Sequence, residues 1–246
     1  MRGWIAGLRL AVSLLTVVPS GEVRVDGGVA RRAMALAPLT GLIVGGAAAL
    51  VLMAGDLAGL SPLLRAALAV GAMAVVTRAL HLDGLADLAD GLGSGRPAGD
   101  ALAIMKRSDI GPFGVVTLLL TLMIQVAALA SAPDAPVAVI VAAVAGRTAL
   151  PWACRRPVPS ARPGGLGALV AGTVATRTAV VVTAVVVAAS LVTWSPYGPV
   201  AVLAGLASAL LLLRHAVRRL GGITGDVMGA LVETATTTAL IVLAAA

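Results

Sequence analysis

Three aspartates lie close together in the stretch His81-Leu82-Asp83-Gly84-Leu85-Ala86-Asp87-Leu88-Ala89-Asp90-Gly91. On a helix, Asp83, Asp87 and Asp90 fall within an arc of roughly 60° on one face. At this spacing the carboxylates repel one another, and a nearby bilayer adds the cost of desolvation. A divalent cation would remove both costs. Because the oxygen ligands are accompanied by one histidine and no nearby cysteine, the pattern favours Mg²⁺ or Mn²⁺ over zinc.

The alternative is a helix face whose carboxylates are simply solvated. The whole chain has only 11 acidic residues, however, and three of them fall within eight consecutive positions. We therefore favour a metal site with Asp83, Asp87 and Asp90 as catalytic ligands. His81 is a candidate proton acceptor or ligand in the same site, with an ordinary interfacial histidine as the competing interpretation.

A further acidic residue lies far along the chain, in Gly221-Gly222-Ile223-Thr224-Gly225-Asp226. The glycines permit a tight turn and a close approach of the backbone to a ligand, and Gly225 can offer its N–H to an anion. Asp226 could supply a fourth carboxylate to a centre with one or two metals. A glycine-rich connection between two membrane spans is the simpler alternative.

Basic residues follow the aspartates at Arg96, Lys106 and Arg107. Lysine and arginine beside a Mg²⁺ site are typical of an enzyme that handles phosphate groups. Membrane topology offers a competing explanation, because loops on the cytoplasmic side are enriched in Lys and Arg in any case.

The elements that position these residues are long apolar segments. The chain is 59% hydrophobic and only 12% charged, and one span needs about 20 apolar residues. We therefore predict an all-α, polytopic integral membrane protein of seven or eight transmembrane helices, with residues 1–246 forming a single membrane-embedded catalytic domain. The apolar runs are Trp4–Val18, Ala33–Ala54, Ala66–Leu80, Val115–Ala130, Val137–Ala153, Ala179–Trp194, Val200–Leu213 and Ala230–Ala246.

The loops alternate between basic and nearly uncharged ones, which is the pattern that the positive-inside rule produces. The basic loops are also the long ones, and they include Asp83–Gly114, Arg155–Thr178 and Arg214–Gly229. The sequence therefore predicts long cytoplasmic loops and an active site that faces the cytoplasm.

The formal net charge of +7 does not indicate a nucleic-acid partner, because only 2% of the residues are aromatic and could stack on bases. The lipid bilayer is the partner that the composition predicts. A transporter is the main alternative to an enzyme, but transporters tend to place charges near the bilayer midplane in two matched halves. The aspartates here lie at a helix end instead.

A CDP-alcohol phosphotransferase is the enzymatic alternative, because Asp87-Leu88-Ala89-Asp90-Gly91 is compatible with the start of its D-x-x-D-G signature. That signature continues with x-x-A-R, whereas Ser94-Gly95 stands here. Its second pair of aspartates does not follow.

The motifs together resemble another family, the adenosylcobinamide-GDP ribazoletransferases, also called cobalamin synthases. The match extends in order over nearly the whole chain. Its segments are His81–Gly91, Ala37–Gly45, Ile104–Lys106 with Ser108 and Ile110–Gly111, Ala161–Arg162 with Gly165–Gly167, and Gly221–Asp226 with Gly229–Ala230 and Glu233.

This resemblance implies an enzyme of the cell inner membrane that uses Mg²⁺. The reaction would join α-ribazole, or its 5′-phosphate, to adenosylcobinamide-GDP with release of GMP, giving adenosylcobalamin or its phosphate. Self-association into a homo-oligomer stays open. The implied metal ligands are Asp83, Asp87, Asp90 and Asp226, and the implied substrate-binding residues are Arg96, Lys106, Ser108, Arg162 and Gly225.

The chain departs from the family pattern in two places. The family loop reads K-D-S-R-I-G, whereas residues 106–111 read Lys-Arg-Ser-Asp-Ile-Gly, with acid and base exchanged. The family's T-R-I-P appears as Thr16-Val17-Val18-Pro19, without its arginine. The three aspartates are therefore a firmer basis for a site than the loop behind them.

Overall fold

The fold is all-helical, as the composition predicts. A computed structural model describes residues 2–191 and 196–246, and within those ranges the chain forms eleven α-helices and no β-strand. The helices are α1 (Arg2–Leu15), α2 (Gly27–Leu57), α3 (Pro62–Val76), α4 (Leu80–Gly93), α5 (Ala98–Ile104), α6 (Pro112–Ser131), α7 (Ala135–Ala153), α8 (Gly165–Val170), α9 (Thr176–Ser190), α10 (Tyr197–Leu220) and α11 (Gly225–Ala244).

The number of membrane spans is lower than the sequence predicts. Among the described helices, α2, α6, α7, α10 and α11 are long and apolar enough to cross a bilayer, and α3 with α4 makes a sixth span if the bent pair counts as one. The chain is therefore a polytopic membrane protein of five or six such spans, and the predicted seven or eight is an overcount.

Helix length explains the difference. Helix α1 has 14 residues and α9 has 15. At about 1.5 Å per residue, neither covers the roughly 30 Å of a hydrocarbon core. The predicted run Ala179–Trp194 also extends into residues 192–195, which lie outside the described part of the chain.

Two of the three predicted long loops, Asp83–Gly114 and Arg214–Gly229, are largely helical. Helix α10 continues to Leu220 and α11 begins at Gly225, so only residues 221–224 connect them. Helices α4 and α5 occupy much of Asp83–Gly114. The candidate aspartates are therefore held on helices, whereas Arg162 lies in the connection between α7 and α8.

Small residues bring α2 and α7 into close contact. A Cβ added at Gly41 would lie 2.6 Å from Val144 Cα, and one at Gly45 would lie 2.6 Å from Ile140 Cα. Residue numbers rise on one helix as they fall on the other, so the two helices are antiparallel. Membrane helices associate through such small residues because lipid gives them no hydrophobic driving force.

A polar network lies inside the bundle between α6, α7 and α11. Gln125 Nε2 donates a 2.8 Å hydrogen bond to Glu233 Oε2, and the buried Arg147 donates from Nη1 to Ala143 O at 3.0 Å. Arg147 and Glu233 also attract each other electrostatically. Charged groups in membrane spans need such interior partners.

Helices α3 and α4 meet at an angle of 89°. Arg78 and Ala79 form the bend with φ of 54° each, in the left-handed region that glycine usually occupies. Thr77 ends α3, and Arg78 Nη2 donates to Ser13 O at 3.3 Å. The bend turns α4, which carries the aspartates, out of the direction of α3.

Replacement of the exposed Ala79 by glycine should stabilise the protein, because glycine adopts this φ without a Cβ penalty. We expect Ala79→Gly to raise the free energy of unfolding by roughly 0.5–1 kcal/mol. Thermal unfolding in detergent would measure the change. Ala72→Gly, inside α3, is the matched control and should lower stability by about 1 kcal/mol. Equal destabilisation by both substitutions would show that the bend stores no strain.

Candidate active site

The site is built where α4 crosses α11, and glycines set the distance between the two helices. A Cβ added at Gly84 would lie 2.7 Å from the Asp226 carbonyl oxygen and 2.8 Å from its Cα. On the other helix, a Cβ at Gly229 would lie 3.1 Å from His81 Cα. The two backbones are therefore nearly in contact, and the α4 aspartates lie beside the first turn of α11.

This crossing collects negative charge in a small volume. The half-buried Asp87 interacts electrostatically with Asp83, Asp226 and Asp90, and with the cation of Arg162. The prediction that Asp226 lies on the same side as the α4 aspartates is borne out by this arrangement. Several carboxylates in one partly desolvated place repel one another unless a cation joins them.

Backbone hydrogen bonds hold the central connection, residues 154–164 between α7 and α8, against the turn before α11. Ile223 N donates to Pro159 O at 2.9 Å, and Ala161 N donates to Ile223 O at 2.9 Å. A side chain at Gly222 would collide with this connection, since its Cβ would lie 2.5 Å from Pro159 O. Arg162, which directly follows Ala161, is thereby placed beside Asp226.

Arg162 links three parts of the site. Its Nη1 lies 3.7 Å from Asp226 Oδ2, and its Nη2 donates a 2.6 Å hydrogen bond to Leu102 O of α5. Its Nε is buried and has no hydrogen-bond partner among the described residues. The guanidinium is therefore held in place between α5 and the start of α11.

Thr224 is a site residue that the sequence interpretation missed. As the N-cap of α11, its Oγ1 accepts a hydrogen bond from Val227 N at 3.2 Å. The same hydroxyl donates to Asp226 Oδ2 at 3.1 Å, which orients that carboxylate. A threonine directly before a Gly-Asp helix start is an N-cap signal that could have indicated this role.

Asp90 differs from the other aspartates in its surroundings. It is only 8% exposed, and both carboxylate oxygens accept backbone hydrogen bonds, from Gly111 N at 2.7 Å and from Gly114 N at 2.9 Å. Gly111 is the N-cap of α6 and has no side chain to cap it. Asp90 therefore caps α6 from the neighbouring helix α4.

Two cavities meet at Arg162. The inner cavity, of about 280 Å³, reaches from the mouth formed by Asp83, Asp226 and Arg162 into the helix bundle. The outer cavity, of about 800 Å³, is lined by α5 and the central connection. Both cavities share Arg162, Gly164 and Gly165. A substrate that reacts at Arg162 would have space on both sides.

The remaining predicted site residues divide into two groups. Lys106 lines the outer cavity, and His81 and Gly225 line the inner one. Arg96 and Ser108 are exposed and line neither cavity. The substrate-binding roles predicted for Arg96 and Ser108 thus remain predictions without a geometric basis.

A protein cage of three or more metal ligands is not present in the part of the chain that the structure describes. Magnesium seldom needs one, because it is usually held by one or two carboxylates together with water and substrate phosphates. The carboxylates of Asp83, Asp87 and Asp226, beside a cavity with basic residues, have the donor chemistry for that arrangement.

The fold and the candidate site together define a helical membrane protein with a charged cluster where α4 crosses α11. A family model described as cobalamin-5-phosphate synthase matches residues 7–244. The chain belongs to this family and is a transferase.

Curated relatives support the same assignment over most of their length. A protein of Frankia casuarinae is 44% identical over 96% of this chain and 93% of its own. A protein of a Nocardioides species is 42% identical over 96% of this chain and 97% of its own. A protein of Bradyrhizobium diazoefficiens is 41% identical over 100% of this chain and 95% of its own. All three are called adenosylcobinamide-GDP ribazoletransferase. No solved structure matches the chain significantly.

Removal of the Asp90 carboxylate should destabilise the fold. Asp90→Ala leaves two N–H groups of α6 without acceptors, and we expect it to lower the free energy of unfolding by about 2 kcal/mol. Asp87→Ala is the matched control and should change stability by less than about 0.5 kcal/mol. Thermal unfolding in detergent measures both. Equal stability of the two variants would contradict a capping role for Asp90.

The helix crossing should tolerate no side chain at position 84. Gly84→Ala puts a methyl group against the Asp226 backbone, so α4 must move from α11 and the carboxylates separate. We expect turnover to fall at least about tenfold, as misplacement of catalytic groups by an ångström does. Gly71→Ala in α3, where a Cβ meets nothing within 4 Å and which lines neither cavity, is the control. Full activity of Gly84→Ala would show that close approach is unnecessary.

Proposed function

We propose that the chain joins α-ribazole, or its 5′-phosphate, to adenosylcobinamide-GDP in a Mg²⁺-dependent reaction that releases GMP. The observation that carries the proposal is the position of Asp83, Asp87 and Asp226 beside Arg162, where the two cavities meet. The names of the relatives supply the substrate, and the geometry offers a place for a diphosphate flanked by two organic groups.

The chemistry is a substitution at phosphorus. A ribose hydroxyl of α-ribazole forms a new O–P bond to the phosphorus that bears the cobinamide, and the P–O–P bond to the GMP phosphate breaks. The leaving oxygen takes the bonding electrons and departs as part of GMP. The hydroxyl proton passes to a carboxylate, for which Asp83, exposed at the cavity mouth, is the best placed.

The residues of the chain would divide the work of positioning and charge stabilisation. A Mg²⁺ ion held by Asp87, Asp226 and the diphosphate would neutralise charge on the reacting phosphates. Arg162, which lines both cavities, and Lys106, which lines the outer one, would stabilise the charge that develops on the departing GMP. Asp90 would contribute indirectly, because it anchors α4 to α6 and so keeps the other α4 aspartates in place.

We further propose that the protein lies in the cell inner membrane with this site on the cytoplasmic side. Arginine and lysine are concentrated at one end of the bundle, in the connections that follow α4 and α7 and near the C-terminal end of α10, which carries Arg214, Arg218 and Arg219. The opposite connections, between α6 and α7 and between α2 and α3, contain neither. The positive-inside rule places the basic end in the cytoplasm.

The direct test uses purified protein with adenosylcobinamide-GDP, α-ribazole and Mg²⁺, and quantifies GMP and the corrinoid product. We expect stoichiometric release of GMP that stops when the metal is chelated and returns when Mg²⁺ is added. Asp87→Asn should lower turnover at least about 100-fold, since it removes a charged metal ligand that helps to stabilise the transition state.

Asp56→Asn provides the matched control, because Asp56 pairs with Arg65 and lines neither cavity. It should retain wild-type turnover. Thermal unfolding of both variants separates loss of chemistry from loss of folding. Absence of GMP release from well-folded wild-type protein would overturn the proposed function, and metal-independent turnover would remove Mg²⁺ from it.

A further inference from the structure

The inner cavity is chemically uneven. Its mouth carries the charges of Asp83, Asp226 and Arg162, whereas its interior is lined by large apolar side chains. These apolar residues include Leu15, Met34, Leu150, Leu166, Ile223 and Met228. Such a cavity suits a ligand with one polar end and a compact apolar body.

His81 is the exception in the apolar part of the cavity. The residue is only 2% exposed, and neither Nδ1 nor Nε2 has a hydrogen-bond partner among the described residues. A neutral imidazole has one donor and one acceptor nitrogen. A buried polar group without a partner costs stability, so an unpaired imidazole at a cavity wall indicates a ligand that completes its hydrogen bonds.

We propose that the inner cavity is the subsite for the base of the incoming nucleoside, and that His81 donates a hydrogen bond to the free ring nitrogen of that base. This inference rests on the proposed function. The base of α-ribazole is a dimethylated benzimidazole, a flat two-ring body with two methyl groups and a single free ring nitrogen. Its hydrogen-bonding capacity matches the one donor that His81 offers among the leucine, isoleucine and methionine side chains of the cavity.

The other base in the reaction does not suit this cavity. Guanine carries a carbonyl, a ring N–H, an amino group and further ring nitrogens, and most of these would be left without partners against leucine and methionine side chains. The outer cavity, which is larger and lined by Lys106 and Arg162, is the better place for the guanine nucleotide. The two cavities thereby distinguish the incoming from the departing nucleoside.

The position of His81 also couples base recognition to the reaction site. It lies two residues before Asp83 on α4, and its backbone is in contact range of Gly229 at the helix crossing. A base held by His81 inside the cavity would direct its ribose towards Asp83 and Asp226 at the mouth. His81 is on this account a substrate-binding residue, and proton acceptance belongs to a carboxylate.

The first test compares two nucleosides that differ in one ring atom. These are the α-riboside of dimethylbenzimidazole and the corresponding dimethylindole riboside, in which a C–H replaces the free ring nitrogen. Wild-type kcat/KM should favour the benzimidazole at least about tenfold, because a site built around a hydrogen bond discriminates against a ligand that lacks it. His81→Leu should bring that ratio close to one, mainly by weakening use of the benzimidazole.

The second test alters the size of the cavity without touching His81. Met34→Ala removes a side chain from the wall, and we expect it to shift preference about tenfold towards a three-ring naphthimidazole riboside. Met73→Ala is the matched control, because Met73 is equally a buried methionine but packs in another part of the core. Its preference between the two-ring and three-ring nucleosides should stay that of the wild type.

The outcomes separate this inference from the proposed function. Wild-type protein that releases no GMP with any riboside contradicts the proposed function itself. Active wild-type protein whose preferences are unchanged by both His81→Leu and Met34→Ala overturns the base subsite alone. If His81→Leu is inactive, the test is the equilibrium binding of free dimethylbenzimidazole and dimethylindole to the wild-type and variant proteins. An equal loss of affinity for both bases in the variant would also overturn the base subsite.

Discussion

The near contact of two helix backbones determines the rest of the site. Gly84 of α4 and Gly229 of α11 remove the side chains that would hold the helices apart. Only at this separation do carboxylates that are more than 130 positions apart in the sequence act on one another. The mutual repulsion that results is tolerable where a cation and a polyanionic substrate are the expected occupants.

The surrounding elements keep this unfavourable group of charges in place. Asp90 ties the end of α4 to the start of α6, and the turn before α11 is hydrogen-bonded to the connection that carries Arg162. Thr224 orients Asp226 from the N-cap of α11. Rigid supports of this kind are what a reaction that depends on positioning and electrostatics requires.

The sequence was sufficient to predict the candidate site residues whose positions follow from helical periodicity and membrane topology. The helical spacing of Asp83, Asp87 and Asp90, and the placement of Asp226 on the same side, needed only the pitch of a helix and the alternation of basic loops. The capping role of Asp90 could not be predicted from the sequence, because its hydrogen-bond partners lie 21 and 24 residues away and are backbone groups. The bend at Arg78 and Ala79 had no signal either, since neither glycine nor proline marks it.

The overcount of spans has a different origin. Hydropathy measures how apolar a segment is, whereas crossing a bilayer also requires an unbroken helix of sufficient length. Segments such as α1 and α9 satisfy the first condition and not the second. The family assignment is insensitive to this error, because it rests on sequence matches over nearly the whole chain and not on the number of spans.

The central claim is that carboxylates from α4 and α11 share one metal ion. Electron paramagnetic resonance of Mn²⁺, titrated into the protein in the presence of adenosylcobinamide-GDP, measures this most directly. The account predicts that Asp87→Asn and Asp226→Asn each weaken Mn²⁺ binding at least about tenfold, as loss of a charged ligand does, while Asp56→Asn leaves it unchanged. Wild-type Mn²⁺ affinity in both site variants would contradict a shared metal centre at the crossing.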